Sequence, residues 1–157
     1  MKKIIFIASF MLLSLTTACG FKIVKHSEQK NFDIAEIITT GEKRINYKIK
    51  NKLLSGSKKN VNNLIRIYLD SNKNKEIKEK NIKNEITKYQ LTISVHVKYE
   101  KINEKNSNSF TVTKKGDYSI SKQYSQTLNE ENNLMELLAD NLANEILDEL
   151  ILRLNAV

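Results

Sequence analysis

The sequence predicts an α+β domain with the element order β-α-β-β-β-α, in which two helices pack on one face of a mostly antiparallel, mixed four-stranded sheet. Two observations predict it. Apolar and polar residues alternate without a break from Tyr89 to Tyr99, which is typical of a strand with one buried face. The segment from Leu134 to Leu154 carries a broad apolar stripe at helical spacing, typical of a helix lying on a sheet. A chain of 157 residues suits one such domain.

Residues 1–18 are predicted to be an export signal that is removed. Lys2 and Lys3 precede an apolar run over residues 4–15, and small residues follow. At about 1.5 Å per residue the run reaches only about 18 Å, short of the roughly 30 Å hydrocarbon core, so we expect no membrane-spanning helix. The alternative is a buried N-terminal helix, which the paired lysines and the small-residue ending disfavour.

Cys19, the single cysteine of the chain, follows the signal directly. Residues 16–19 (Thr-Thr-Ala-Cys) match the small residues and cysteine of a bacterial lipoprotein signal, with Thr16 where leucine is usual. A catalytic thiol would need a neighbouring base, and no Cys-His signature surrounds this position. We therefore expect a diacylglycerol and an N-acyl group on Cys19 and no other cofactor. Gly20 stands where aspartate would favour inner-membrane retention, which favours the outer membrane.

The first half of the domain is predicted to form a strand, a helix and a strand. Residues 19–31 would be a lipidated tether and 32–157 the single domain. Phe32–Ile38 has β-type composition, and the spacing Thr39-x-x-Glu42 predicts a capping box for a helix over 41–54, with Gly56 as its C-terminal stop. The apolar residues of that helix recur at a spacing of four: Ile45, Ile49 and Leu53.

The second half begins with a strand at Asn63–Asp70. The polar, charged segment Ser71–Lys88 is predicted to be a loop or frayed strand ends. After the strand at 89–99, Asn103–Asn108 reads as a turn before a hairpin partner, in which Gly116 is a candidate bulge. The partner's apolar residues share one parity: Phe110, Val112, Tyr118, Ile120 and Tyr124.

The last helix is predicted to start at a second capping-box spacing, Thr127-x-x-Glu130. Acidic residues fill the face opposite its apolar stripe. The stripe consists of Leu134, Leu138, Leu142, Ile146, Leu150 and Leu154, broadened by Leu137, Ala139, Ala143, Leu147 and Ile151.

The formal net charge of +8 is unevenly distributed. Residues 22–66 carry a local charge of +7 and residues 125–157 one of −6, which indicates separate surfaces and not a nucleic-acid-binding protein. Residues 73–88 hold six lysines and three glutamates. They form either a solvated loop or a contact for a polyanion, and lipid phosphates suit an exported domain better than nucleic acid does. The candidate ligand-binding lysines are Lys73, Lys75, Lys78, Lys80, Lys83 and Lys88.

Catalytic and metal-binding patterns are missing from the sequence. His26 lies in the predicted tether, and His96 is expected to be a solvated residue on the polar face of its strand. Two histidines without a carboxylate pattern predict no metal site, and there is no P-loop, GxGxxG or GxSxG motif. We therefore expect no enzyme; a hydrolase would require a constellation of residues that is not found.

Three stretches together resemble a known family: Cys19–Phe21 (Cys-Gly-Phe), Tyr89–Leu91 (Tyr-x-Leu), and 138–147 (LADNLANEIL) in the last helix. With the element order they are similar to LptE, the lipopolysaccharide-assembly lipoprotein of the outer membrane, especially its short alphaproteobacterial forms. The resemblance spans nearly the whole chain. It implies a lipid-anchored, non-enzymatic protein on the periplasmic side of the outer membrane.

The resemblance also implies partners. Family members plug the LptD β-barrel translocon, support its assembly and help to deliver lipopolysaccharide to the outer leaflet. They can bind lipopolysaccharide through basic residues near one end of the sheet. The six lysines of 73–88 are the nearest equivalents here. The alternative is a periplasm-facing lipoprotein that binds another envelope ligand without a barrel partner.

Overall fold

The computed structural model describes residues 32–55, 63–102, 104 and 106–155. These residues form four strands and two helices in the order β-α-β-β-β-α, so the predicted fold class is confirmed. The predicted signal, Cys19, the tether and Gly56 lie outside the described residues. The elements are β1 (Asp33–Gly41), α1 (Lys43–Leu54), β2 (Leu64–Lys80), β3 (Ile86–Lys101), β4 (Ser107–Ser119) and α2 (Tyr124–Asn155).

The four strands form one mixed sheet in the order β1-β2-β3-β4. β1 pairs with β2 in parallel, while β2–β3 and β3–β4 are antiparallel. The parallel pair follows from the connection through α1, because a helix between two neighbouring strands returns the chain to the same end of the sheet.

Both helices cover one face of the sheet, and the core lies between them and the strands. The alternation predicted for β3 is confirmed: its odd-numbered residues from Leu91 to Val97 are fully buried, whereas His96 and Lys98 are exposed. Burying an aliphatic side chain of this size contributes about 1.5–3 kcal/mol. The helices bring to this core Ile45, Ile49, Leu53, Leu138, Leu142, Ala143, Ile146 and Leu150.

α2 has 32 residues and is therefore about 48 Å long, enough to follow β4 along its whole length. Most of its predicted apolar stripe is buried, but Leu134 and Leu154 are only partly buried and Leu137 is exposed. No helix in the described ranges is both long and apolar enough to cross a membrane.

The chain passes from β1 into α1 through a tight contact with β2. Gly41 has φ +86°, and a Cβ atom there would lie 1.9 Å from the carbonyl oxygen of Ser71. The backbone N–H of Glu42 donates to the hydroxyl of Ser71 at 3.0 Å, and Asn46 Nδ2 donates to the carbonyl of Thr40 at 2.6 Å. Glycine is required at this position because its backbone tolerates both the positive φ and the close approach.

The prediction of a loop or frayed strand ends over Ser71–Lys88 was wrong. β2 continues to Lys80 and β3 starts at Ile86, so only a short turn separates them. The segment has too few apolar residues to show a strand period. It pairs with a strand whose period is clear, because Ile77 opposes Tyr89 and Lys75 opposes Leu91 in the antiparallel register.

Both predicted capping boxes were also wrong. Thr39 lies inside β1, and Glu42 precedes α1 without a side-chain cap. α2 starts at Tyr124, a residue that the parity pattern places in the hairpin strand, and Thr127 lies within its first turns. The Thr127 hydroxyl accepts a hydrogen bond from the N–H of Ser121 at 2.9 Å and so ties the incoming chain to the helix.

Gly116 is not at a bulge, since the register of β3 with β4 runs through it without a shift. A Cβ atom there would lie 2.6 Å from Cδ1 of Leu134. The glycine therefore lets α2 lie close to β4.

Candidate functional site

The predicted lysines lie where the β2–β3 hairpin extends past the end of β1. The last pair between β1 and β2 is Gly41–Ser71, and β2 continues for nine residues to Lys80, about 30 Å at the usual rise per residue. We call residues 72–94 the arm. β4 accompanies β3 along the arm as far as the pair Lys88–Ser119. The arm is thus a three-stranded extension that ends in a two-stranded hairpin.

The structure divides the six lysines into three groups. Lys73 and Lys75 follow Leu69 on the helix-covered side of β2 and face Glu131 of α2. Two others form ion pairs along the strands, with 4.0 Å between Lys78 Nζ and Asp117 and 2.7 Å between Lys88 Nζ and Glu79. The last two, Lys80 and Lys83, lie at the end of the hairpin.

Lys75 is the centre of a polar cluster between the arm and α2. Its Nζ lies 2.7 Å from Oε2 of Glu131, and the same carboxylate oxygen accepts the hydroxyl of Tyr118 at 2.7 Å. The ammonium group also lies 4.3 Å from the ring centroid of Tyr89 and 5.3 Å from that of Tyr118. A cation above two aromatic faces and beside a carboxylate is held in place, so this lysine serves to dock α2 on the arm.

The pKa values of Lys75 and Glu131 result from two opposing effects: burial disfavours their charged forms, and the hydrogen bonds between them favour those forms. Burial disfavours the charges of Lys75 and Glu131, but their mutual hydrogen bond and the bonds of each to Tyr118 outweigh it. The pKa of Lys75 is therefore raised and that of Glu131 lowered from their ordinary values. Burial and the hydrogen bond to Glu131 raise the pKa of Tyr118 to about 12. All three groups thus favour the state in which only lysine and glutamate are charged.

The uncovered face of the sheet is polar and crossed by side-chain contacts between strands. Arg66 of β2 donates from Nε to Glu36 of β1 and from Nη1 to Glu100 of β3, both at 2.9 Å. The hydrogen bonds that Glu100 accepts from Arg66 and from the Tyr68 hydroxyl lower the pKa of its carboxyl group. Ser94 and Thr113 hydroxyls lie 2.9 Å apart between β3 and β4. This face has the character of a water-facing surface.

His96 lies on this polar face, as predicted. It is exposed, and its Nδ1 lies 3.1 Å from the hydroxyl of Thr111. Within the described ranges, no group of three or more His, Cys, Asp or Glu residues is arranged to hold a metal ion. Cys19 and His26 lie outside those ranges.

A groove of about 570 Å³ runs between α1 and α2. Its apolar floor includes Ile45, Met135 and Ala139. Ion pairs cross it, with Arg44 Nη2 at 2.8 Å from Glu136 and Lys48 Nζ at 3.3 Å from Asp140. The basic helix and the acidic helix, predicted to form separate surfaces, therefore neutralise each other in part along this groove.

Sequence reasoning missed Glu131 and Arg66 as partners. The sequence places Glu131 among the solvated acids of the last helix, because its partner Lys75 is distant in the chain and falls in a predicted loop. Arg66 stands alone among apolar neighbours in its strand, and only the register shows that Glu36 and Glu100 flank it.

Together, the sheet order and the two helices on one face define an α+β fold that is also found in bacterial lipoproteins. No protein-family model and no curated protein matches the sequence. Among solved structures, a proposed lipoprotein of Caulobacter crescentus aligns over 77% of this chain and 92% of its own, at a TM-score of 0.56 and 17% identity. At such identity the likeness establishes the shared fold.

Two further solved structures have the same fold. A minor lipoprotein of Acinetobacter baumannii covers 78% of this chain and 94% of its own, with a TM-score of 0.52 and 15% identity. The rare lipoprotein B of Shewanella oneidensis covers 77% and 93%, with a TM-score of 0.50 and 15% identity.

Proposed function

We propose that this chain is an outer-membrane lipoprotein that accompanies a lipopolysaccharide-exporting β-barrel of the LptD type. It plugs the barrel, supports its assembly and helps to deliver lipopolysaccharide to the outer leaflet. The observation that carries the proposal is a fold shared with several lipoproteins, in a chain whose predicted lipoprotein-type signal, residues 1–18, is followed by Cys19. The more specific assignment to an LptE-type role is supported by the resemblance in sequence at Cys19–Phe21, Tyr89–Leu91 and 138–147.

The anchor is the first part of this proposal. Acyl chains on Cys19 would insert into the periplasmic leaflet, and each buried methylene contributes about 0.8 kcal/mol. Two or three chains then hold the domain at the membrane and raise its local concentration beside an integral partner. We place this role outside catalysis, in keeping with a sequence that carries no P-loop, GxGxxG or GxSxG motif.

The polar surface of the domain supports the role of a plug. The uncovered sheet face is polar, and its charges are paired across strands through Arg66, Glu36 and Glu100. The helix face is crossed by further ion pairs between α1 and α2. Such a surface is compatible with the wet, polar lumen of a large barrel.

Contact with lipopolysaccharide is assigned to the arm. Glu131 pairs with both Lys73 and Lys75, and two tyrosine rings also contact Lys75, so we place these two lysines in a structural role. Lys78, Lys80 and Lys83 lie nearer to the end of the hairpin, and Lys88 adds a fourth ammonium group beside Glu79. Ammonium groups meet phosphates through charge-assisted hydrogen bonds, so these four are the candidates for the phosphates of lipid A.

Affinity purification tests the partnership. The tagged full chain, extracted from outer membranes in mild detergent, should recover a large β-barrel protein in near-equal amount. Cys19→Ser, expressed to the same level, is the matched control and should recover much less. Failure of the acylated protein to recover any barrel would overturn the partnership and favour a periplasm-facing lipoprotein with another envelope ligand.

A further inference from the structure

Large apolar side chains are exposed at the end of the molecule that the arm forms. Ile82 is fully exposed in the turn between β2 and β3, and Ile77 is half exposed on the strand that leads to it. The start of α2 adds Tyr124 and Leu128 at the same end. Ile120 joins them, since its N–H donates to the carbonyl of Thr87 in β3 at 2.9 Å.

Hydrogen bonds within the turn between β2 and β3 hold its backbone, while the side chain of Ile82 is exposed to solvent. The side-chain oxygen of Asn81 accepts the N–H groups of Lys83 at 2.9 Å and Glu85 at 3.0 Å. The backbone N–H of Asn81 donates to the carbonyl of Glu85 at 2.9 Å, and Asn84 takes a left-handed conformation with φ 65°. An asparagine-centred turn of this kind fixes the backbone without using the isoleucine. The apolar side chain is therefore presented outward and does not fold back on the protein.

Lysines flank the exposed isoleucine on both sides in the chain. Lys80 ends β2, where its Nζ donates to the side chain of Asn84 at 3.1 Å, and Lys83 follows Ile82 directly. Residues 73–88 together carry six lysines and three glutamates, a net charge of +3. An apolar side chain flanked by lysines matches the layering of a lipid surface, in which phosphates lie outside the acyl chains.

We propose that the end of the arm docks on an anionic phospholipid bilayer, with Ile82 among the acyl chains and Lys80 and Lys83 on the headgroup phosphates. Charge complementarity favours a bilayer as the occupant, because residues 73–88 carry a net charge of +3 beside the exposed apolar side chains. The proposal requires no barrel partner. Because one isoleucine and two lysines bind weakly, the contact acts as a second attachment for a domain that another signal holds at the membrane.

The chain contains no tryptophan, so one introduced indole reports on the arm alone. In the test, full-length Ile82→Trp is incorporated into vesicles of phosphatidylglycerol and phosphatidylethanolamine. Its emission should shift to the blue and be quenched by lipids brominated on their acyl chains. The matched control is Tyr47→Trp, because Tyr47 is exposed on α1, outside the arm, and should report water.

The lysines are tested in the same background. Adding Lys80→Gln and Lys83→Gln to Ile82→Trp should lower the insertion equilibrium, measured as the quenched fraction, roughly thirtyfold. Vesicles of neutral phosphatidylcholine should have a similar effect. Circular dichroism of each variant verifies the fold.

Three results would overturn the proposal. If phospholipid vesicles leave the emission of the Ile82→Trp variant unchanged, insertion of the arm is excluded. Equal quenching of the two single-tryptophan variants would show that the indole, and not the arm, seeks the bilayer. A response to lipopolysaccharide micelles without one to phospholipid would make the arm a ligand contact only. None of these results bears on co-purification with a barrel, so the two proposals fail separately.

Discussion

At the scale of single residues, the cluster of Lys75, Glu131 and Tyr118 shows how burial and pairing compete. The Glu131 side chain is only 19% exposed, while Glu79, which pairs with Lys88 on the arm, is 53% exposed. Both carboxylates lie 2.7 Å from a lysine Nζ, so the geometry is matched and the surroundings differ. Solvent screens the exposed pair, and its contribution to stability is expected to be small.

We predict that Glu131→Gln lowers the free energy of unfolding by about 1–2 kcal/mol, because it leaves Lys75 with a weaker acceptor beside two rings. Glu79→Gln is the control, with an expected change below about 0.5 kcal/mol. Urea denaturation at neutral pH measures both. Equal effects of the two substitutions would contradict the structural role of the cluster.

The contribution of the cluster to the stability of the protein should also depend on pH. The pKa of Glu131 is lower in the folded protein than in the unfolded chain, so its contribution is present above the unfolded value of about 4.3 and is lost as the pH falls through the folded value. Urea midpoints of the parent chain should therefore fall more steeply below about pH 4.5 than those of Glu131→Gln. Parallel pH profiles would contradict this prediction.

In alkali, Tyr118 is predicted to ionise above the ordinary range of a tyrosine. Its pKa is raised to about 12, so its contribution is present below the unfolded value of about 10 and is lost as the pH rises through 12. Absorbance of tyrosinate near 295 nm should show a late transition in the parent chain that is missing from Tyr118→Phe. A late transition that persists in the variant would assign it to another tyrosine.

At the scale of elements, Gly41 and Gly116 each allow a close contact between two elements, but the contacting atoms differ. Gly41 meets a backbone carbonyl at positive φ, whereas Gly116 meets only the flexible end of the Leu134 side chain. The first contact fixes the passage from β1 to α1, and the second sets how closely α2 approaches β4.

The same substitution should therefore have unequal effects. Gly41→Ala is expected to lower the free energy of unfolding by about 3 kcal/mol or more, because neither the backbone of β2 nor the φ angle can adjust. Gly116→Ala should cost about 1 kcal/mol or less, since Leu134 can rotate away. Thermal or urea denaturation of the two variants measures the difference, and similar losses would contradict these contacts.

The arm is the element assigned to lipopolysaccharide, and charge reversal tests it. The triple variant Lys78→Glu, Lys80→Glu and Lys83→Glu should weaken binding at least tenfold at low salt and less at high salt, because salt screens the contact. A control with the same charge change on α1, Lys43→Glu, Lys50→Glu and Lys52→Glu, should bind nearly as well as the parent. Equal losses of affinity in the two triple variants would indicate that binding depends on the net charge of the protein and not on a contact at the arm.

At the scale of the whole molecule, the chain enters the described domain at one end of the sheet and the arm ends at the other. β2 has 17 residues and so spans about 55 Å, and Leu64 at its start is paired with the first residue of β1, Asp33. A predicted anchor before β1 and a predicted lipid contact on the arm would therefore act at opposite ends of the domain.

The anchor itself is tested by labelling. Cells fed an alkyne analogue of palmitate should label the parent chain, and Cys19→Ser should lose the label and leave the membrane fraction. Labelling of Cys19→Ser equal to that of the parent would refute attachment at this thiol. Thr16→Leu, which restores the usual residue of the signal, should speed processing without changing the site.

The sequence by itself determined the element order and most of the core. An unbroken alternation over 89–99 and the helical spacing of the last helix are local consequences of burying one face, so they are visible in the residues alone. The predicted positions of Ile45, Ile49 and Leu53 in the core were confirmed for the same reason. The lipoprotein signal at Cys19 and the candidate lysines are sequence predictions that the described residues leave as proposals.

Only the tertiary structure decided what the polar segment does. Residues 71–88 have no period of their own. Residues 71–80 continue β2 because β3 offers backbone partners, and Glu131 and the tyrosines hold Lys75. The same pairing brings Arg66 between Glu36 and Glu100 and separates the six lysines into docked, paired and terminal groups. Contacts between residues far apart in the chain depend on register and helix placement, which no local pattern encodes.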